Sequence, residues 1–184
     1  MPELPPGQRW VSDFIEYSAL GRPSVNLEDW RLTVTGLVDR ELSLSYDELR
    51  SLEQVEIVRD FHCVTGWSVR AVRWRGVRIA RLAEMAGVRP EARWVRFVSL
   101  DGYDTSVPLE DALVEDAIVA LEVNGRPLPE EMGFPARPVI PHLYAWKSAK
   151  WLTKVEFTRD YPGGFWEDRG YHPRGNVWRE ERTL

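Results

Sequence analysis

The 184 residues carry 24 Lys and Arg against 29 Asp and Glu, a formal charge of −5, with 43% hydrophobic and 29% charged residues. Such a length suits one domain with an ordered tail, and such a composition supports a packed core, which excludes a disordered or fibrous chain. The acidic balance gives no general pull toward nucleic acid or anionic lipid, and no stretch approaches the ~20 apolar residues that span a bilayer.

Taken in order, residues 1–29 contain several prolines and no period, and read as an arm laid over the domain. The opening Met1–Phe14 has neither a charged segment leading an apolar one nor a twin arginine, so a cytoplasmic location is expected. Trp30 to Thr35 alternates as a strand and stops at Gly36. Ser45 followed by Glu48 has capping-box spacing and opens a short helix near residues 46–52. Val55 to Cys63 reads as a strand that ends in the turn Val64-Thr65-Gly66. Ile79 to Ala86 is helical, with Gly87 as its stop.

Trp94 to Leu100 forms a further strand before an Asp101-Gly102 turn, and Pro108 is placed as the first residue of a helix. Ala117 to Val123 is an apolar strand closed by Asn124-Gly125. In Trp151 to Phe157 the odd residues are expected on one face and Leu152, Lys154 and Glu156 on the other. No period runs from Tyr161 onward, where glycine, aromatic and charged residues crowd the tail 161–184; aromatics this dense are expected to pack the tail onto the domain, with a lid over a cleft as the alternative. Many short strands with two or three short helices and no βαβ rhythm indicate a mixed α+β domain over residues 1–184.

Few residues could carry chemistry. Cys63 is the only cysteine, which excludes an intrachain disulfide and any cluster of several thiolates. It follows His62 at a strand end and precedes a turn. Read on spacing alone it is a buried filler, a reactive thiol with Arg59 or Arg70 as a cationic neighbour, or a lone metal ligand. The three histidines, His62, His142 and His172, lack paired zinc-ligand spacing. A cysteine hydrolase has its ingredients but no local signature. The run Gly133–Lys150 collects Arg137, Lys147, Ser148 and Lys150 on a backbone made irregular by glycine and proline, a set suited to an anion such as phosphate.

Three stretches carry a resemblance: Asp60–Trp67 with Trp74-Arg-Gly76, Trp94–Tyr103, and Glu122–Leu128 leading through Gly133–Arg137 to Lys147–Phe157. In this order they resemble the molybdopterin-binding domain of the sulfite oxidase and methionine-sulfoxide-reductase superfamily. That resemblance implies an oxidoreductase that transfers an oxygen atom to or from a small, sulfur-containing substrate through one molybdopterin. It makes Cys63 the molybdenum ligand and catalytic centre, a soft thiolate suiting a metal already held by sulfur. It also implies that Arg137, Ser148, Ala149 and Lys150 hold the pterin phosphate, with Ser99 and His62 against the cofactor. Sulfite oxidases carry arginine five residues after the cysteine; here that position is Ser68, so sulfite itself is unsupported as substrate. Met132 likewise replaces the His or Asn before the Gly-Phe-Pro-x-Arg motif. The expected chain holds no haem and exchanges electrons with a separate partner, a cytochrome or similar. The alternative is a module that binds or delivers molybdopterin without turnover.

Overall fold

The computed structural model describes residues 3–184, so Met1 and Pro2 of the expected arm lie outside the described residues. Short local signals set short elements. In chain order these are β1 (Arg9–Val11), β2 (Leu32–Gly36), β3 (Leu42–Leu44), α1 (Tyr46–Ser51), β4 (Val55–His62), β5 (Trp67–Arg78) and α2 (Ile79–Ala86). Then follow β6 (Trp94–Ser99), β7 (Asp104–Pro108), α3 (Leu109–Ala112), β8 (Ile118–Val123), β9 (Arg126–Pro127), β10 (Arg137–Val139) and β11 (Leu152–Thr158). The expected α+β class, with mixed short-stranded sheets and a few short helices, is the one observed. No helix among the described residues is long and apolar enough to cross a membrane.

Several signals act as read. Ser45 and Glu48 form the reciprocal capping box at the start of α1. Gly87 takes φ 68 and its N–H closes α2 on Ala83 O and Glu84 O. Asn124 and Gly125, at φ 49 and 82, make the left-handed turn that returns β8 into β9. The apolar run of β8 is explained by burial on both faces: Val119 and Leu121 enter the main core, Ile118 and Ala120 a second one.

Three expectations are corrected. The arm, expected as an irregular segment laid over the domain, contributes a strand to a sheet, because β1 pairs parallel to β5 in the register Arg9↔Trp67. Pro108 ends β7 with ψ 141 and so precedes α3 instead of entering it. In β11 the alternation fails at its start: Trp151 has φ 53, the register slips between Leu152 and Lys154, and Leu152 is buried with Val155 and Phe157. A bulge shifts the phase of every side chain before it.

The sequence reading missed β5, the longest strand. It is the hub of a six-stranded sheet, pairing with β4 along its length, with β1 at Trp67–Val69 and with β8 at Trp74–Arg78. The other sheet runs β3-β2-β11-β6-β7, with only β2 and β11 parallel. Main-core residues from this second sheet include Leu32, Val34, Val95, Phe97, Val155 and Phe157, packed with Ile79 and Leu82 of α2. The second core, between Phe61, Trp67 and Trp74 and the arm's Phe14, and a third around Tyr144, Trp146 and Val177 supply walls of one cavity.

Candidate active site

β4 delivers its last residues to a tight turn. His62 is buried, and Cys63, just past the strand, is half-buried on the cavity wall. Cys63 N–H donates to Trp67 O at 2.9 Å and Gly66 N–H to Cys63 O at 3.0 Å, closing the turn. Gly66 is required there: its φ is 108, and a β-carbon would stand 3.2 Å from Gly7 O. The cysteine Sγ lies 3.2 Å from Thr65 Oγ1. The cationic neighbours considered from the sequence are engaged elsewhere, Arg59 with Asp116 at 3.1 Å and Arg70 over the Trp10 ring at 4.6 Å.

The cavity, about 490 Å³, also receives Ser99, Arg137, Ser148 and Lys150. Arg137 opens β10 and is buried, donating to Ser148 Oγ at 2.8 Å, Met132 O at 3.0 Å and Ser148 O at 3.1 Å. All three acceptors are neutral. The guanidinium also faces the Phe61 and Trp74 rings at 5.3 and 5.6 Å. With its charge stripped of water and no carboxylate within ion-pair reach among the described residues, burial pushes Arg137 down to about 9. Lys150 is similar. Its ammonium reaches Tyr17 O at 2.8 Å, Ser18 Oγ at 3.0 Å and Glu131 O at 3.4 Å, and burial, then the charge of Arg137, lowers it to about 8.

Ser99 sits on the inward face of β6, and its hydroxyl is buried with no hydrogen-bond partner. Two like charges and an orphaned hydroxyl therefore share a cavity. A buried cation without a counter-charge is costly, and an anion at this wall is what relieves it.

Three expected residues stand off the wall. His62 points its Nδ1 at Ser68 Oγ, 2.7 Å away, and burial lowers its affinity for a proton. Lys147 is buried and committed: Nζ reaches Glu167 Oε2 at 2.6 Å, Ser106 O at 2.5 Å and Pro173 O at 2.7 Å. That ion pair fastens the tail, so its charge is not free for a ligand. Ala149 is packed in the main core. Ser68, at the position where sulfite oxidases carry arginine, is fully buried and likewise does not face the cavity.

Little in the sequence pointed to the aromatic wall. Trp146, Trp166, Tyr171 and Tyr17 line the cavity, with Trp166 and Tyr171 stacked at 5.1 Å and Trp146 set edge-on to Tyr171 at 5.0 Å. Tyr103 O–H donates to Trp146 O at 2.5 Å and fixes the wall from β6–β7. The arm contributes Phe14 to Ala19 across the cavity. Only the density of aromatics in the tail hinted at a lid; the arm carried no periodic signal at all.

The family model described as oxidoreductase molybdopterin binding domain matches residues 19–166 of this chain. The chain belongs to that family. The uncharacterized oxidoreductase YuiH of Bacillus subtilis (strain 168) is 43% identical over 180 residues, 97% of this chain and 91% of YuiH. A putative protein-methionine-sulfoxide reductase subunit, YedZ1 of Azospira oryzae, is 35% identical over 148 residues, 80% of this chain and 56% of its own length. Human mitochondrial sulfite oxidase is 31% identical, with 86% of this chain matched to 34% of that protein. The crystal structure of the sulfane dehydrogenase SoxCD from Paracoccus pantotrophus shares the fold, with a TM-score of 0.72 and 22% identity over 82% of this chain and 42% of that one. This molybdopterin-binding oxidoreductase domain thus corresponds to nearly the whole of YuiH but to only part of the longer relatives. The superfamily resemblance and the enzyme class expected from the sequence both stand.

The chain's own chemistry suits the family's cofactor. A soft sulfur donor, two cations without a directly paired carboxylate and an unpartnered hydroxyl meet in a cavity sized for a bound small molecule.

Proposed function

We propose that this chain transfers an oxygen atom to or from a small, sulfur-containing substrate, with Cys63 as the protein ligand to molybdenum. The observation that carries the reading is the meeting of the Cys63 thiol and the uncompensated Arg137 guanidinium in one cavity. When bound, the molybdenum supplies the two-electron redox chemistry, which the protein's side chains lack. Arg137, Ser148 and Lys150 bind the cofactor's phosphate, the guanidinium supplying directed N–H donors and the lysine a movable charge. Ser99 gives its free hydroxyl to the same molecule. The rings of Trp146, Trp166 and Tyr171, with the arm, exclude water and orient the substrate. Electrons pass to or from a separate redox protein of the cytochrome kind. A cytoplasmic location belongs to the same proposal, and fractionation of the source cells checks it.

Metal and pterin analysis with anaerobic redox titration tests the ligand. The wild type is expected to carry about one molybdenum per chain. Cys63→Ser is expected to keep pterin through Arg137 and Lys150 while losing turnover and shifting the molybdenum signal. An unchanged signal and turnover in Cys63→Ser would overturn the assignment, and a fully loaded wild type inert toward both sulfite and S-oxides would favour the carrier alternative.

A further inference from the structure

Both ends of the chain converge on the cysteine turn. From the arm, Gln8 Nε2 donates to Cys63 O at 3.0 Å, Trp67 O at 3.1 Å and Ser68 Oγ at 3.0 Å, sharing two amide hydrogens among three acceptors. From the tail, Arg182 Nη2 donates to Gln8 Oε1 at 2.9 Å and Pro6 O at 3.0 Å, and its Nη1 to Val64 O. The next arm residue, Arg9, donates its N–H to Gly66 O at 2.7 Å. The carbonyls of Cys63, Val64, Gly66 and Trp67 are therefore all engaged, two of them by one glutamine side chain. Ser68 passes the same network on to His62. The guanidinium of Arg182 also lies 5.1 Å from the Tyr144 ring, which anchors it to the third core.

We propose that Gln8, held in place by Arg182, is the positioning residue that fixes the direction of the Cys63 sulfur. This inference rests on the reading of Cys63 as the molybdenum ligand. A turn of four residues outside regular secondary structure has backbone freedom to lose, and each torsion that drifts swings the sulfur. With the carbonyls of Cys63, Val64 and Gly66, three of the four in the turn, tied down, the side-chain torsion of Cys63 is the main freedom left, and the Thr65 hydroxyl at 3.2 Å restrains that. Groups that orient a ligand in this way set how well its lone pairs meet the metal, and removing them commonly lowers activity 10–100-fold. Gln8 does not itself line the cavity and bonds to backbone carbonyls and the Ser68 hydroxyl, so its effect on the sulfur is exerted through the turn.

The test uses the full-length, cofactor-loaded protein with Gln8→Met, which keeps side-chain length and removes every polar bond, and Arg182→Met, which leaves the amide present but unheld. Gln8→Met is expected to retain molybdenum yet to alter the Mo(V) electron paramagnetic resonance signal. With sulfite or dimethyl sulfoxide, whichever the wild type turns over, its kcat is expected to fall about tenfold or more with KM within about twofold. Arg182→Met is expected to change the same signal in the same direction by less. An unchanged signal and kcat beside a lowered melting temperature would overturn the proposal, as would loss of folding in both variants. A wild type without any molybdenum signal would instead refute the metal reading. The clasp is then read in the metal-free proteins by iodoacetamide alkylation of Cys63, expected several-fold faster in Gln8→Met, and an equal rate would overturn it.

Discussion

Arg137 and Lys150 carry the same physical problem at two depths. Each is a cation that donates to carbonyls and hydroxyls, so folding removes water without supplying a directly paired carboxylate, and at Lys150 the more distant Glu16 and Asp101 offset this only in part. Burial, reinforced at Lys150 by Arg137, leaves them at about 9 and about 8. In the ligand-free protein the folded chain therefore binds fewer protons than the unfolded one from about pH 8 upward. On that count its stability rises with pH through the window from 8 to the unfolded lysine value near 10.5. An anion at the wall reverses the shift and raises both groups. Binding of sulfate, a phosphate-like probe that does not itself titrate in this range, is thus expected to take up protons at pH 8.5 and close to none at pH 6, with affinity falling as pH rises. Calorimetry in two buffers of different ionisation enthalpy measures the uptake; proton release at pH 8.5 would contradict the assignment. The residue types needed for this were visible in the chain between Gly133 and Lys150. Their lack of carboxylate partners was not, because pairing is a property of neighbours distant in sequence.

At the scale of elements, β5 shows why a long strand escaped its sequence. Its first three residues, Trp67, Ser68 and Val69, are all buried, since the sheet is covered on both sides there. Ala71 then takes φ 50 where the register against β4 slips, and the alternation resumes in a new phase through Val72, Trp74 and Gly76. A period broken by a bulge is not visible as a period. Gly76 marks a close approach instead: a β-carbon there would lie 1.9 Å from Val119 O of the paired β8. Gly76→Ala is expected to destabilise the protein by about 3 kcal/mol or more, because the clash is with backbone that cannot move without breaking the sheet. Urea denaturation measures it, and a loss below about 1 kcal/mol would show that the two strands separate easily. By contrast α1, α2 and β6 were legible, because a capping box, a left-handed glycine stop and a two-residue alternation are purely local signals.

The molecule as a whole is held closed by its tail. The 3-10 turn Glu167–Arg169 hangs from the buried pair Lys147–Glu167, whose carboxylate also accepts from Thr105 Oγ1 at 2.6 Å and Trp146 Nε1 at 3.2 Å. One carboxylate thus ties the cavity-lining Trp146 to the segment that carries Trp166 and Tyr171. Further along, Arg174 reaches Asp111 at 3.0 Å, and Val177 is fully buried. Lys147→Met leaves Glu167 charged and unpaired in the interior and is expected to cost about 3–5 kcal/mol, whereas Lys147→Met with Glu167→Gln recovers much of it. Denaturant melts of the single and double variants check this; equal losses in both would mean that lost packing, and not the unpaired charge, sets the cost.

Much was settled by sequence alone: the α+β class, the family, the capped helices, and the choice of Cys63, Ser99, Arg137, Ser148 and Lys150 as residues worth following. Those follow from local order, from composition and from motifs in a fixed succession. Tertiary structure decided which of the candidates share a cavity, that Lys147 is a tail fastener, that Ser68 and His62 face a buried network, and that the arm and tail enclose the site. Such facts depend on which distant segments meet, and a buried charge or a free hydroxyl acquires its meaning only from what folding brings beside it.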